Sequence, residues 1–479
     1  MVFSSLLFVY LFLPLCILVY KLTDGLDNKN TVLIIFSLIF YSWTGPKYLL
    51  LLLAMVFINW MAGLLMAGGK RYPARRKAGL WLALIGSLGL LGFFKYTGFF
   101  LGTLQSLTGF PGKVPEIVLP IGISFYTFQL LSYSLDVYRG DVRAQRSYKV
   151  LLLYASLFHQ CIAGPIVRYR DVENEILGRR VSLRDTSEGI NRFTVGLAKK
   201  TLLANTCATV ADRLIPEGTA LDKLPALALW VGMLMYMFQI YLDFSAYSDM
   251  AIGMGKMVGF HYRENFDYPY MSRSVSEFWR RWHISLGSFF RDYVYIPLGG
   301  NRKGEGRTIV NLFVVWALTG LWHGASWNFV LWGLYFFVFI ALEKLFLRKP
   351  LENMPAFFSH LYLLVVVFFG WILFKFQDLS QGFTLFKGLF GLNGNALLTG
   401  ETRTVLLNYV FFIVLAIVAV TPLGKTLMQK FEQKAQDGSS MALLRVDGIV
   451  RIVLPLLLLL LSTMALVGNS YNPFLYFQF

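Results

Sequence analysis

The chain is poor in charge. Lys, Arg, Asp and Glu supply only 15% of its 479 residues, where a soluble domain carries about 25%. Apolar and aromatic side chains fill the difference, bringing the hydrophobic share to 56%. That excess runs along the whole length in blocks of membrane-spanning size, which excludes a soluble enzyme and a disordered chain. Cysteine is scarce too. Cys16, Cys161 and Cys207 are widely spaced and form no CxxC pair, so neither a disulfide scaffold nor a metal cluster is indicated. Of the five histidines, His283 and His323 have no companion ligands at metal spacing, and no metal is expected. There is no Walker loop, no GxGxxG after a strand, no GxSxG and no HExxH.

Basic residues, by contrast, outnumber acidic ones by 44 to 27, a net charge of +17. They sit in short loops between apolar runs, as the positive-inside rule expects. The loop 69–77 holds Lys70, Arg71, Arg75, Arg76 and Lys77 with no acid, and is read as cytoplasmic. Further clusters occur at Arg139–Lys149, Arg179–Arg184, Arg302–Arg307 and Lys344–Lys349. No basic stretch combines length with interleaved aromatics in a soluble setting, so nucleic acid is not a partner. Met1 to Tyr20 is apolar without a basic n-region or a small-residue cleavage motif. It is read as a retained first membrane helix.

A helix crosses the hydrocarbon core in about 20 apolar residues. The candidates are 3–20, 46–66, 79–101, 117–135, 148–164, 225–246, 308–322, 327–346, 357–375, 405–422 and 448–468. Residues 31–43 are apolar but short, a half-span or one arm of a hairpin. Residues 187–212 carry Arg192, Lys199 and Lys200 among apolar positions, which suits an interfacial or amphipathic helix. The expectation is an all-α polytopic membrane protein with about ten to twelve spans. Between 260 and 306 aromatics and charges crowd together. Polar backbone at membrane depth must be buried in protein or line a water-filled cavity, so this is a re-entrant or interfacial element that helps to build a site. No inverted repeat is visible, which weakens a transporter reading.

His323 lies in LTGLWHGASWN, 318–328, inside an apolar region running from Ile309 to Leu342. An ionisable group at such depth is expensive and is a functional-site hypothesis by default. Gly320 and Gly324 let a backbone or a substrate approach the ring, and a neutral imidazole accepts a proton near neutral pH. The blander reading is a buried histidine bonded to a carbonyl; membrane depth favours the functional one. His283 sits among Trp279, Arg280, Arg281 and Trp282. It is either an interface residue, with the tryptophans as belt anchors and the arginines at headgroups, or a second ionisable group at the mouth of the His323 cavity. Arg280, Arg281 and Arg291 would attract the phosphates of a charged donor. In the run 239–249, Asp243 and Asp249 accompany Tyr241, Ser245, Tyr247 and Ser248. Six residues are about 600° of helical rotation, so the two carboxylates do not share a face. One of them would orient a histidine or a substrate hydroxyl and the other pair with an arginine. The polar span 119–129, continuing to Asp136 and Arg139, reads mostly as helix packing through small residues. A base without an in-chain nucleophile suggests direct transfer between two bound substrates.

At these residues the chain resembles the membrane-bound O-acyltransferase (MBOAT) family, in its bacterial alginate O-acetylase branch. The resembling segments are LPIGISFYTFQ (119–129), IAGPIVRY (162–169), QIYLDFSAYSD (239–249), NFDYPY (265–270), EFWRRWHISLGSFFRDYVYIPLGGNR (277–302), LTGLWHGASWNFVLWG (318–333) and NPFLYFQF (472–479). They occur in family order; one departure is His159-Gln160, where a Phe-Pro-like pair is expected.

The resemblance implies a single MBOAT membrane domain over 1–479, with the core motifs in 119–333 and helices curved around a central funnel. It implies His323 as catalytic base at the narrowest point and His283 as the second family histidine. Trp322, Gly324, Asp243, Tyr241, Ser245, Asp249, Arg280, Arg281 and Arg291 are candidates for binding substrate or donor, and Arg302 joins them for the phosphates. No cofactor is permanently bound; acetyl-CoA is the donor substrate. The implied setting is the bacterial inner (cytoplasmic) membrane, with membrane lipids, a glycan acceptor and a periplasmic or extracellular partner protein of the AlgJ or AlgX kind. The implied activity is O-acetylation of an alginate-like exopolysaccharide. The alternatives are peptidoglycan O-acetylation, DltB-like D-alanyl transfer to teichoic acid and, from another class, a glycan transporter or flippase.

Overall fold

Proline and glycine set where several long helices begin and end in this computed structural model, which describes residues 1–43, 45–109, 112–161, 164–436 and 441–468. Pro46 and Pro73 open the helices Pro46–Met66 and Pro73–Leu91, where a missing N–H costs nothing because the first turn has no partner for it. Gly140, at φ 90°, closes Ile123–Arg139 by donating its N–H to the carbonyls of Asp136 and Val137.

Helices are the regular structure of the described residues, with no strand among them. Seven helices among them are long and apolar enough to cross a membrane: Pro46–Met66, Pro73–Thr108, Ala226–Met257, Trp327–Asn353, Ala356–Lys375, Gly400–Ala419 and Ala442–Gly468. The remaining apolar runs take other forms. The first becomes the shorter helical stretch Phe8–Leu22. The run 117–135 has no regular structure before the turn at Gly122 and is helical from Ile123. The run 148–164 divides at Leu157, whose extended ψ of 115° ends Tyr148–Ser156 before Phe158–Cys161. The run 308–322 lies in Gly304–His323, which opens with Glu305 and Arg307. NPFLYFQF and Ile162-Ala163 lie outside the described residues.

Two compact units divide the chain: Met1–Phe193 with Met250–Glu264 and Ser285–Gly300, and Thr194–Asp249 with Asn265–Ile284 and Asn301–Phe479. In the first, Asn59 joins three helices, donating to Ser87 Oγ at 2.8 Å and accepting from Ser134 Oγ at 2.8 Å. A side chain at Gly79 would meet the Ala62 carbonyl at 2.7 Å, so Pro46–Met66 and Pro73–Leu91 approach backbone to backbone, as small residues allow. Tyr293 donates to the buried Asp136, and Arg168 grips Asp292 at 2.6 Å.

In the second unit, Gly304–His323 and Trp327–Leu342 form a hairpin whose crossing is set by glycine. A methyl group on Gly320 would strike the Phe329 carbonyl oxygen, and one on Gly333 the Trp316 carbonyl. Glu343, just past the second arm and buried, accepts the N–H groups of Val275 (2.6 Å) and Ser276 (2.8 Å). It thereby fixes the start of Val275–Arg281, the helix that leads into His283. That start is also written locally: Ser274 Oγ accepts from the Glu277 N–H, and Glu277 accepts from the Arg273 N–H, a variant of the capping box.

Candidate active site

His323 is the last residue of Gly304–His323 and is 7% exposed. Three rings wall it edge to face: Trp332 at 4.8 Å, Trp322 at 4.9 Å and Phe374 at 5.4 Å between centroids. Gly324 follows in extended backbone, and the Phe329 ring occupies the space that a side chain there would need. Asn328 ties the turn down, donating to the carbonyls of Leu373 (3.2 Å) and Phe374 (3.4 Å). The imidazole is therefore held in a rigid, largely apolar wall at the end of a helix, with water mostly excluded.

His283 belongs to the same unit and approaches the same indole, its ring 5.6 Å from that of Trp322. It lies between the helices Val275–Arg281 and Ile284–Phe290 with φ 45°. A non-glycine residue in left-handed backbone is uncommon and, where the surroundings hold it there, often marks a functional position. Here Asn265 holds it from both sides: its carbonyl accepts the Ile284 N–H at 2.9 Å, and its Oδ1 lies 3.2 Å from His283 Nδ1. Phe244 meets the imidazole edge to face at 4.7 Å.

The two carboxylates of Ala226–Met257 leave that helix in different directions, as their spacing requires, and each finds a lysine. Asp243 pairs with Lys200 at 2.8 Å, with side chains 2% and 3% exposed. Asp249 pairs with Lys199, which also reaches Ser245 Oγ at 3.4 Å. The expected arginine partner is corrected to lysine. Residues 187–212 are helical throughout, as expected, within the contiguous segments Leu183–Ala198, Lys199–Ala204 and Asn205–Leu214. Leu183–Ala198 passes into a π-helical stretch, Lys199–Ala204, that turns Lys200 into the protein.

Trp279 and Trp282 are core residues, not belt anchors. Trp279 packs on Trp316 (4.9 Å), Trp332 (5.4 Å) and Phe336 (4.9 Å), and Trp282 on Trp371 (5.0 Å). The pattern of aromatics spaced along 277–282 fits either a lipid interface or a packed cluster, and packing decides it. Tyr241 joins this wall through Tyr270 at 5.4 Å. Of the candidate phosphate ligands, Arg280 and Arg302 are exposed. Arg281 is engaged by Glu277 at 2.9 Å and Asp267 at 3.8 Å. Arg291 lies in the first unit, held by Asp292 at 2.7 Å.

A polar cavity of about 690 Å³ opens in the second unit, between the segments 212–221 and 375–384. Asp212, Glu217, Lys375, Phe376, Gln377 and Asp378 are among its lining. Its wall begins one residue beyond Phe374, the ring that packs on His323. Hydrogen bonds from Ser380 hold the Asp378 carboxyl below the usual carboxylate range, so that rim stays negative. Sequence reasoning assigned no role to Lys200, Asn265, Trp332 or Phe374. The signal for the first was a lysine amid apolar positions, and for the second an asparagine inside a quoted motif.

One nearly buried imidazole thus ends a glycine-crossed hairpin, and a second, in left-handed backbone, meets the same Trp322 ring. Residues 143–385 match the membrane-bound O-acyltransferase family. The chain belongs to that family and is a multi-pass membrane O-acyltransferase. It is 39% identical to the probable alginate O-acetylase AlgI of Pseudomonas putida over the full length of both. A peptidoglycan O-acetyltransferase of Helicobacter pylori is 33% identical over 83% of this chain and 81% of its own. A teichoic acid D-alanyltransferase of Bacillus subtilis is 27% identical over 54% of this chain and 68% of its own.

Proposed function

We propose that this enzyme takes an acetyl group from cytoplasmic acetyl-CoA and delivers it to a hydroxyl on the outer side of the bacterial inner membrane, for O-acetylation of an exopolysaccharide. The observation that carries the reading is His323 itself: a nearly buried imidazole fixed by three rings, with a polar cavity one residue beyond one of them. Full-length identity with alginate O-acetylases supports acetyl as the group and an alginate-like polysaccharide as the product.

Orientation follows from charge. Arg302, Lys303 and Arg307 begin one arm of the hairpin, and Lys344, Arg348 and Lys349 lie beyond the end of the other. The opposite end mixes Asp212, Glu217 and Asp378 with Lys375. By the positive-inside rule the first end is cytoplasmic and the cavity faces outward. Acetyl-CoA then enters on the basic side, where the exposed Arg280 and Arg302 meet its phosphates, and the acceptor enters through the cavity.

His323 removes the proton of the acceptor hydroxyl as its oxygen attacks the thioester carbonyl carbon. The C–S bond breaks, and the CoA thiolate leaves with that proton as CoA–SH. General-base work of this kind supplies roughly 10²–10⁴-fold. His283 supports the base across Trp322. The product leaves with a periplasmic partner that completes glycan modification.

Membrane vesicles of defined orientation test the direction. Labelled acetyl-CoA outside inside-out vesicles should be consumed and label should appear on acceptor within them, whereas right-side-out vesicles should leave it untouched. Consumption by right-side-out vesicles alone would reverse the proposal.

A further inference from the structure

We propose that Asn265 is a positioning residue that holds His283 in the Nδ1–H tautomer, so that Nε2 is the basic nitrogen of that ring. The proposal rests on the reading of His283 as part of the acyl-transfer site and names what sets its protonation.

The geometry is a short relay within one unit. Asn265 is fully buried and donates through Nδ2 to Ser248 Oγ at 3.1 Å. In this arrangement the amide nitrogen faces Ser248 and Oδ1 is presented to His283 Nδ1 at 3.2 Å. A carbonyl oxygen only accepts, so Nδ1 carries the hydrogen. The hydrogen bond at one imidazole nitrogen then fixes the state of the other. Asn265 also accepts the Ile284 N–H through its backbone carbonyl, which pins the left-handed residue and its ring from one place. Phe244 packs edge-on to the imidazole, so rotation of the ring to exchange its nitrogens meets a wall. An asparagine in this role leaves His283 neutral, where a carboxylate would raise its basicity.

Two variants separate positioning from packing. Asn265→Ala removes the acceptor, whereas Asn265→Asp keeps it in the same shape. Full-length protein labelled with ¹⁵N-histidine, in lipid bilayers, reports the tautomer by solid-state NMR. The His283 signal is assigned by its loss in His283→Gln. The expected spectrum is Nδ1–H in the wild type and in Asn265→Asp, and a mixture or Nε2–H in Asn265→Ala. In turnover of acetyl-CoA, Asn265→Ala should lose about tenfold or more in kcat at unchanged KM, since a misplacement near 1 Å costs about 10²-fold in a positioned reaction. Asn265→Asp should restore kcat and move the acidic limb of its pH profile to higher pH. An Nε2–H signal in the wild type, or an identical His283 signal in Asn265→Ala, overturns the proposal. Wild-type protein that consumes no acetyl-CoA overturns the donor reading alone, and the tautomer in the spectrum still decides this one.

Discussion

Lys200 and Asp243 face each other with almost no solvent, and such a pair is held by mutual need more than by net gain. Desolvating two charges costs nearly what their attraction returns, but removing one partner strands the other. Asp243→Asn should therefore destabilise the protein by about 3–5 kcal/mol, read as a lowered Tm in detergent. Lys200→Met combined with Asp243→Leu should recover most of that loss. A double variant no better than the single would show that the pair has a role beyond its own charges. At this scale the sequence was partly legible. His323 stood out because an imidazole inside an apolar run is costly, and Asp243 for the same reason. The lysine partner was hidden because the chain's change to π-helical turns at Lys199–Ala204 rotates Lys200 inward, and periodicity of 3.6 does not foresee it. Asn265 was hidden differently: its contact with His283 spans 18 residues, which no local pattern encodes.

Among the elements, the hairpin that carries His323 depends on backbone contact at Gly320 and Gly333. Gly320→Ala would push a methyl group into the Phe329 carbonyl, moving the helix end that bears the imidazole. Activity should fall at least tenfold, since a displacement near 1 Å costs about 10²-fold in a positioned reaction. Gly306→Ala, four turns earlier and facing open space, is the control and should leave turnover unchanged. Wild-type rates in Gly320→Ala would mean that the hairpin tolerates separation and does not set the site. The hairpin was readable from two apolar runs broken by small residues at 324–326. The long apolar runs near 148–164 and 117–135 misled because composition does not report where a helix breaks: Leu157 and Gly122 do so through backbone torsions. Trp279 and Trp282 show the same ambiguity, as an aromatic belt and an aromatic core share one composition.

For the molecule as a whole, the distribution of charge between the two ends of the second unit predicts a sidedness that cysteine labelling can read. The three natural cysteines are buried and unpaired, so an introduced thiol gives the signal. Lys303→Cys and Lys349→Cys should react with an impermeant maleimide only from the cytoplasmic side, and Thr219→Cys and Gln377→Cys only from the outer side. The reverse pattern would place the cavity on the donor side and require the two substrates to exchange routes. The family motifs carried the overall class from sequence, because residues 119–333 hold most of them in order; the cavity between 212–221 and 375–384 had no sequence signature, being made by segments far apart in the chain. The central claim is that His323 is the base of an acetyl-CoA-dependent transfer. Release of CoA by purified protein, wild type against His323→Ala, tests it most directly. The account predicts slow turnover in the wild type and a loss of roughly 10²–10⁴-fold in the variant with its melting transition preserved; equal release by both proteins would contradict it.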